Sequence, residues 1–178
     1  MKLHTSFAIM ASLALLLTAT TWKPEAEKAR VNFDIKGPFG TVHGKFSGLK
    51  AEIKFSPDDL KSSSIKASID AKTVSTGNGL RNSDLRNKEL WLNTDKYPEI
   101  TFASNKIEKK GSGYVAIGNL TLKGKTKPVE IPFTFTAKGN AGTFKGKFTI
   151  NRTDFNIGKQ GGSVGKTINI ELNVPAVK

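Results

Sequence analysis

Few residues in this chain could carry covalent or acid–base chemistry. It holds two histidines, His4 and His43, and no cysteine. Thiolate chemistry and disulfides are therefore excluded. His4 lies in an apolar N-terminal leader, so a Ser-His-Asp triad would have to use His43. His43 stands between Val42 and Gly44 in a strand-like stretch, where a single histidine reads as a surface or hydrogen-bonded residue. A serine on a Gly-x-Ser-x-Gly elbow is not expected. Asp58-Asp59 brings two carboxylates together, but the pair follows Pro57 and reads as a turn filler. No phosphate loop, dinucleotide fingerprint or metal-ligand spacing stands out. The chain is therefore not expected to be an enzyme or to carry a cofactor or a metal.

Two arginines invite a closer reading. Arg81 lies in TGNGLRNSDLR, ahead of a segment expected to be helical. In FTINRTDFNIG, the parity of Phe148 and Ile150 carries Arg152 to the inward face. A guanidinium facing an apolar interior is costly unless it is paired. Two roles are open. Arg152 could pair with Asp84 or Asp154 and tie the helix to the β structure. Alternatively, one or both arginines could meet the polar or anionic head of a ligand, since their planar fork suits phosphate and carboxylate.

The elements that must position these residues are mostly strands. Val129, Ile131, Phe133, Phe135 and Ala137 alternate with polar residues or proline, the period of a half-buried strand. The same period recurs around Val31, Leu49, Ile65, Ile100, Phe144 and Ile168, with turn-forming residues between the runs. Residues 114–122 are strand-like, but their phase is unclear. About eight strands, each polar on one side, predict an antiparallel barrel or sandwich in one domain. Pro132, on the outward side, predicts a bulge or a partly open seam. Alternation stops over residues 78–98. A short helix is expected at residues 83–91, capped by Ser83 and with Asp84 in its first turn.

The inward face mixes aromatics with very small residues, Gly44, Ala51, Ala67 and Gly146 among them. This fits an eight-stranded barrel holding one small ligand, and it fits big-against-small packing in a closed core. The formal net charge of +13 favours anionic surfaces, or simply keeps strand edges soluble. The lysines are spread over outward faces with no nucleic-acid-binding signature, so no nucleic acid partner is expected. Residues 1–20 have the layout of a signal peptide, with Lys2, an apolar run over 7–17 and small residues before a cleavage expected near 19–21. The run is too short to span a bilayer, and no cysteine near its end offers a lipid anchor. Location in the periplasm or outside the cell is expected, with residues 22–178 forming the mature domain.

Several stretches carry a family likeness: GTVHGKFSGL (40–49), TGNGLRNSDLR (76–86), DKYPEITFAS (95–104), GNLTLKGKTKPV (118–129) and INRTDFNIG (150–158). With these in order, the chain resembles the YceI-like family of exported bacterial proteins. It departs from the family's pattern at Lys28-Ala29, Asn82 and Leu90-Trp91. The resemblance implies an all-β fold, an eight-stranded antiparallel lipocalin-like barrel with one short helix, that binds a long isoprenoid lipid such as a polyprenyl chain or a quinone. On that reading Phe33, Ile53, Phe55, Ile69, Phe102, Phe133, Phe135, Phe148, Ile150 and Ile170 line an apolar tube. Arg81, Trp91, Tyr97 and Arg152 stand near the entrance. The lipid would be held for transport, storage or stress protection, by a monomer or homodimer that can touch anionic membrane peripherally. The alternative is a non-catalytic envelope protein with a plugged barrel and a basic surface for polyanions or protein partners.

Overall fold

The computed structural model describes residues 19–178, so the leader read in the sequence lies outside the described residues except for its last two positions. The strands are β1 (Thr21–Pro24), β2 (Arg30–Gly37), β3 (Gly40–Phe46), β4 (Lys50–Lys54), β5 (Ser64–Asp70), β6 (Glu99–Lys110), β7 (Gly113–Leu122), β8 (Lys125–Lys138), β9 (Ala141–Asn151) and β10 (Thr167–Val177). One α-helix, α1 (Gly79–Asn87), stands between β5 and β6.

These ten segments fill eight positions in a closed antiparallel barrel. β1 and β2 follow one another along the same edge of β10, through Pro24↔Ala176 and then Arg30↔Asn173. β4 pairs with β1, and β3 pairs with β2, so this second position is also interrupted. From β4 each strand pairs with the next in sequence as far as β10. The contact of β1 with β10 closes the ring.

Alternation sets the register. Opposed pairs such as Ile53↔Ile65, Ile69↔Ile100 and Phe102↔Leu120 put apolar side chains on the inner face of successive strands. The outer face of β9 and β10 carries Lys145, Lys147, Asn169 and Glu171. That polarity is the reverse of a membrane-spanning barrel, whose outer band is apolar.

The two ends differ. Residues 71–98, 123–124 and 152–166 and the β2–β3 turn connect strands at one end. At the opposite end, Phe55 is fully buried at the centre of an aromatic plug. Its ring meets Tyr114, Phe133, Phe135 and Phe144 at centroid distances of 5.0, 5.5, 5.0 and 5.6 Å. Trp22 extends this plug against Phe135 and donates its indole N–H to the Phe55 carbonyl at 3.0 Å. Edge-to-face pairs of this kind add to the stabilisation from burial alone.

Three local expectations meet the structure. The helix lies earlier than residues 83–91. Asn78, extended at φ −133°, caps it by accepting from the Arg81 N–H at 2.9 Å. The two glycines flanking this cap disguise a helix start, and Ser83 sits inside the helix, bonded to Asn87. At Pro132 the expected seam is present. The β8–β9 ladder runs from Lys138↔Ala141 only as far as Phe133↔Gly146, and β8 before that point pairs with β7 alone. Pro132 has no N–H to extend the ladder toward β9. The turn Arg152–Phe155 packs against β8 beside this gap. A bulge in β6 between Ser104 and Lys106 accompanies a close approach to Gly118, where a Cβ would lie 2.2 Å from the Ala103 carbonyl oxygen.

Candidate functional site

The barrel interior is filled at the plugged end and open above it. An apolar cavity of about 810 Å³ occupies the half nearer α1. Its wall draws on nearly every strand, with Phe33 from β2, Ala51 from β4, Ala67 from β5, Phe102 from β6, Phe148 from β9 and Ile170 from β10. Inward-pointing Phe33, Phe148, Ile168, Ile170 and Leu172 are only half-buried, because the space they face is unfilled.

Small residues create this space. Ala51 and Ala67 oppose each other across β4 and β5, so only methyl groups reach inward at that level of the wall. Gly44 opposes Phe33, whose ring lies over it, and a Cβ there would come within 2.2 Å of the ring. Large rings are thus held flat against the wall.

The structure divides the residues expected from the sequence. Phe33, Ile53, Ile69, Phe102, Phe133, Phe148 and Ile170 stand on the cavity wall. Phe55 and Phe135 do not, because they belong to the aromatic plug. Ile150 is buried in the core but is not on the wall. Parity gives the face of a residue but not its height along the barrel, and height separates plug from cavity. Ala116, Leu120 and Leu122 join the wall from β7, whose phase the sequence leaves open.

Arg81, Trp91 and Arg152 border the cavity at its helix-bearing end. Tyr97 does not. Its ring lies against Gly124 in the β7–β8 turn, where a Cβ would be 2.6 Å away. Arg81 donates from Nε to Thr76 Oγ1 at 2.8 Å and from Nη2 to the Thr76 carbonyl at 2.9 Å. Asn82 holds the same threonine by accepting from its N–H and its hydroxyl at 2.8 and 2.7 Å.

Arg152 is 1% exposed and makes no ion pair among the described residues. Of the expected partners, Asp84 pairs with Lys88 at 2.9 Å and Asp154 is exposed. Backbone carbonyls take their place. Nε donates to Gly165 at 2.8 Å, Nη1 to Ile157 at 2.6 Å, and Nη2 to Val164 at 2.7 Å and Lys159 at 3.1 Å. The guanidinium thereby ties residues 157–165 around itself. Desolvation pulls its pKa below the ordinary arginine value. Trp91 lies against Gly158 beside it.

The remaining polar groups form no catalytic arrangement among the described residues. His43 is exposed, with Nδ1 2.7 Å from Asp34 Oδ1. The letters Gly-x-Ser-x-Gly do occur at residues 161–165, which corrects the expectation that such a segment is absent. They lie in an irregular loop rather than on a strand-to-helix turn, so Ser163 lacks the strained elbow that presents a nucleophile. Asp59 caps its own turn, and its hydrogen bonds with Ser62 hold its carboxyl below the usual value.

The fold and the site together define a closed antiparallel β-barrel that is polar outside and encloses an apolar cavity that opens beside α1. A model of the YceI-like domain matches residues 22–176, and the chain belongs to that family. It is 31% identical over 161 residues to the UPF0312 protein YE1254 of Yersinia enterocolitica, covering 86% of this chain and 83% of that one. Among solved structures it is similar to BcnA of Burkholderia cenocepacia, with a TM-score of 0.81 and 28% identity over 86% of this chain and 99% of that one. A polyisoprenoid binding domain from Saccharophagus degradans shares the fold at a TM-score of 0.64 and 14% identity, covering 88% and 97% of the two chains.

Proposed function

We propose that this protein is an exported, non-catalytic carrier that binds a linear isoprenoid lipid, of the polyprenyl or quinone type, in its barrel cavity. The observation that carries this reading is the roughly 810 Å³ apolar cavity. Its size falls within the roughly 300–1,000 Å³ of ordinary ligand sites. The tail lies along Phe33, Ile69, Phe102, Phe148 and Ile170, toward the aromatic plug. The head group remains at the open end, near Arg81 and Trp91. Family membership and the polyisoprenoid-binding domain of the same fold support this choice of lipid. The leader in residues 1–20 supports export.

Binding is driven by burial of the chain, at about 0.8 kcal/mol per CH₂. Affinity therefore rises with each isoprene unit until the tail reaches the plug, then levels off. The first test is native mass spectrometry of protein purified gently from its own envelope, with extraction and identification of any adduct, followed by titration with a series of prenols. A discrete isoprenoid adduct and a length-dependent affinity that plateaus are expected. A persistently ligand-free mass, with no binding of any prenol or quinone, overturns the proposal and returns the basic outer surface to consideration.

A further inference from the structure

The cavity mouth carries two apolar side chains that no part of the fold covers. Phe39, at the tip of the β2–β3 turn, is 101% exposed, and Leu80, in the first turn of α1, is 78% exposed. Both border the cavity. The other exposed large apolar side chains among the described residues, Leu90 and Val177, are far less open at 41% and 37%, so a pair this exposed at the mouth requires a separate cause.

Charge is also divided between the ends. In the connections at the cavity end, nine Lys or Arg stand against four acids, Asp84, Glu89, Asp95 and Asp154. In the connections and C-terminus at the plugged end, Lys28, Lys61 and Lys178 stand against Glu25, Glu27, Asp58 and Asp59. The connections at the mouth are thus net cationic, and those at the plugged end are slightly anionic. Lys36, Lys159 and Lys166 are exposed and form no ion pair among the described residues. The Gly165 N–H donates to the Lys36 carbonyl at 2.7 Å and joins the loop that carries Lys159 and Lys166 to the hairpin that carries Phe39.

We infer that the cavity end is a docking surface for an anionic lipid bilayer. Phe39 and Leu80 enter the interfacial layer while Lys36, Lys159 and Lys166 meet acidic head groups. The inference rests on the lipid-carrier reading and adds a route to it. A tail then passes between bilayer and cavity without crossing open water, and the plugged end faces away from the membrane.

The test is vesicle flotation with phosphatidylcholine vesicles, with and without one-third phosphatidylglycerol. A parallel measurement loads a prenol from cyclodextrin, which involves no bilayer. Wild type is expected to float with the anionic vesicles, at least about tenfold less in 0.5 M salt, and to ignore the neutral ones. The double variant Phe39→Ser/Leu80→Ser should lose about tenfold or more in partitioning. The double variant Lys159→Glu/Lys166→Glu, whose side chains lie off the cavity wall, should lose vesicle binding and keep its loading from cyclodextrin. Loading from cyclodextrin without vesicle binding by wild type overturns the docking inference and leaves the carrier reading standing. So does vesicle binding that both double variants retain, or self-association through Phe39 that excludes vesicles. Failure to load from cyclodextrin instead removes the carrier reading itself.

Discussion

Replacing Ala67 with Phe separates a cavity from a packed core in one experiment. Ala67 lies between Ala51 and Phe102 on neighbouring strands, and all three border the open volume. In a close-packed interior the added ring would overpack, at a cost of about 1–3 kcal/mol. Here it enters unfilled space and covers apolar wall, so stability should hold or rise by about 1 kcal/mol. For a domain of this size, each kcal/mol moves Tm by about 2–4 °C. The same ring displaces tail. Losing one isoprene unit, five carbons at about 0.8 kcal/mol per CH₂, removes at most about 4 kcal/mol, and half of that weakens binding about thirtyfold. Thermal unfolding and a prenol titration on one preparation read both quantities. A Tm lowered by several degrees with prenol affinity unchanged would refute the reasoning, because it would mean that the ring had been forced into a filled core away from the ligand.

Other perturbations follow from the same geometry. Arg152→Met strands four carbonyls that now share one guanidinium. It should cost about 3–5 kcal/mol in urea unfolding and open residues 157–165 to protease; an unchanged midpoint and cleavage pattern would refute the tethering role. Phe55→Ala removes the centre of the aromatic plug and should cost about 3–5 kcal/mol, measured by the same unfolding curve. Gly118→Ala should cost more than Gly44→Ala in paired melts. The new methyl meets fixed backbone in the first case and, in the second, a Phe33 ring that can swing into the cavity; the reverse order counts against the cavity. Asn78→Ala removes the helix cap and should cost about 1 kcal/mol, with backbone hydrogen exchange rising in α1 alone.

Much of the barrel was legible because alternation is a direct physical signature of a sheet with one apolar face. The runs around Val31, Ile65, Phe144 and Ile168 are strands in the phase that their sequence predicts. Pro132 announced the end of a ladder for the plain reason that it lacks a donor. What the sequence concealed depends on height and on long-range partners. Phe55 and Phe133 have the same type and inward parity, yet one is sealed in the plug while the other also reaches the cavity wall. Arg152 is buried, but its partners are carbonyls of a loop folded around it, and no side-chain pattern encodes them. Helix α1 escaped an accurate reading because it has no buried residue and therefore no apolar stripe. The exposed mouth residues, Phe39 and Leu80, gave no signal at all, since a single apolar residue in a polar turn looks like noise.

The closure of the ring sets an order of events in folding. Lys23 and Pro24, near the start of the described chain, are hydrogen-bond neighbours of Val177 and Ala176, near its end. Six consecutive residues of β2 likewise pair with β10 alone on that side. Synthesis must therefore reach β10 before the barrel can close, and a chain that stops short of β10 leaves two sheet edges unsatisfied. Contacts so distant in sequence form slowly, because the loop entropy is lost before they yield any stabilisation. The barrel therefore stays open until β10 has joined it, and removing β10 should abolish the fold rather than shorten it.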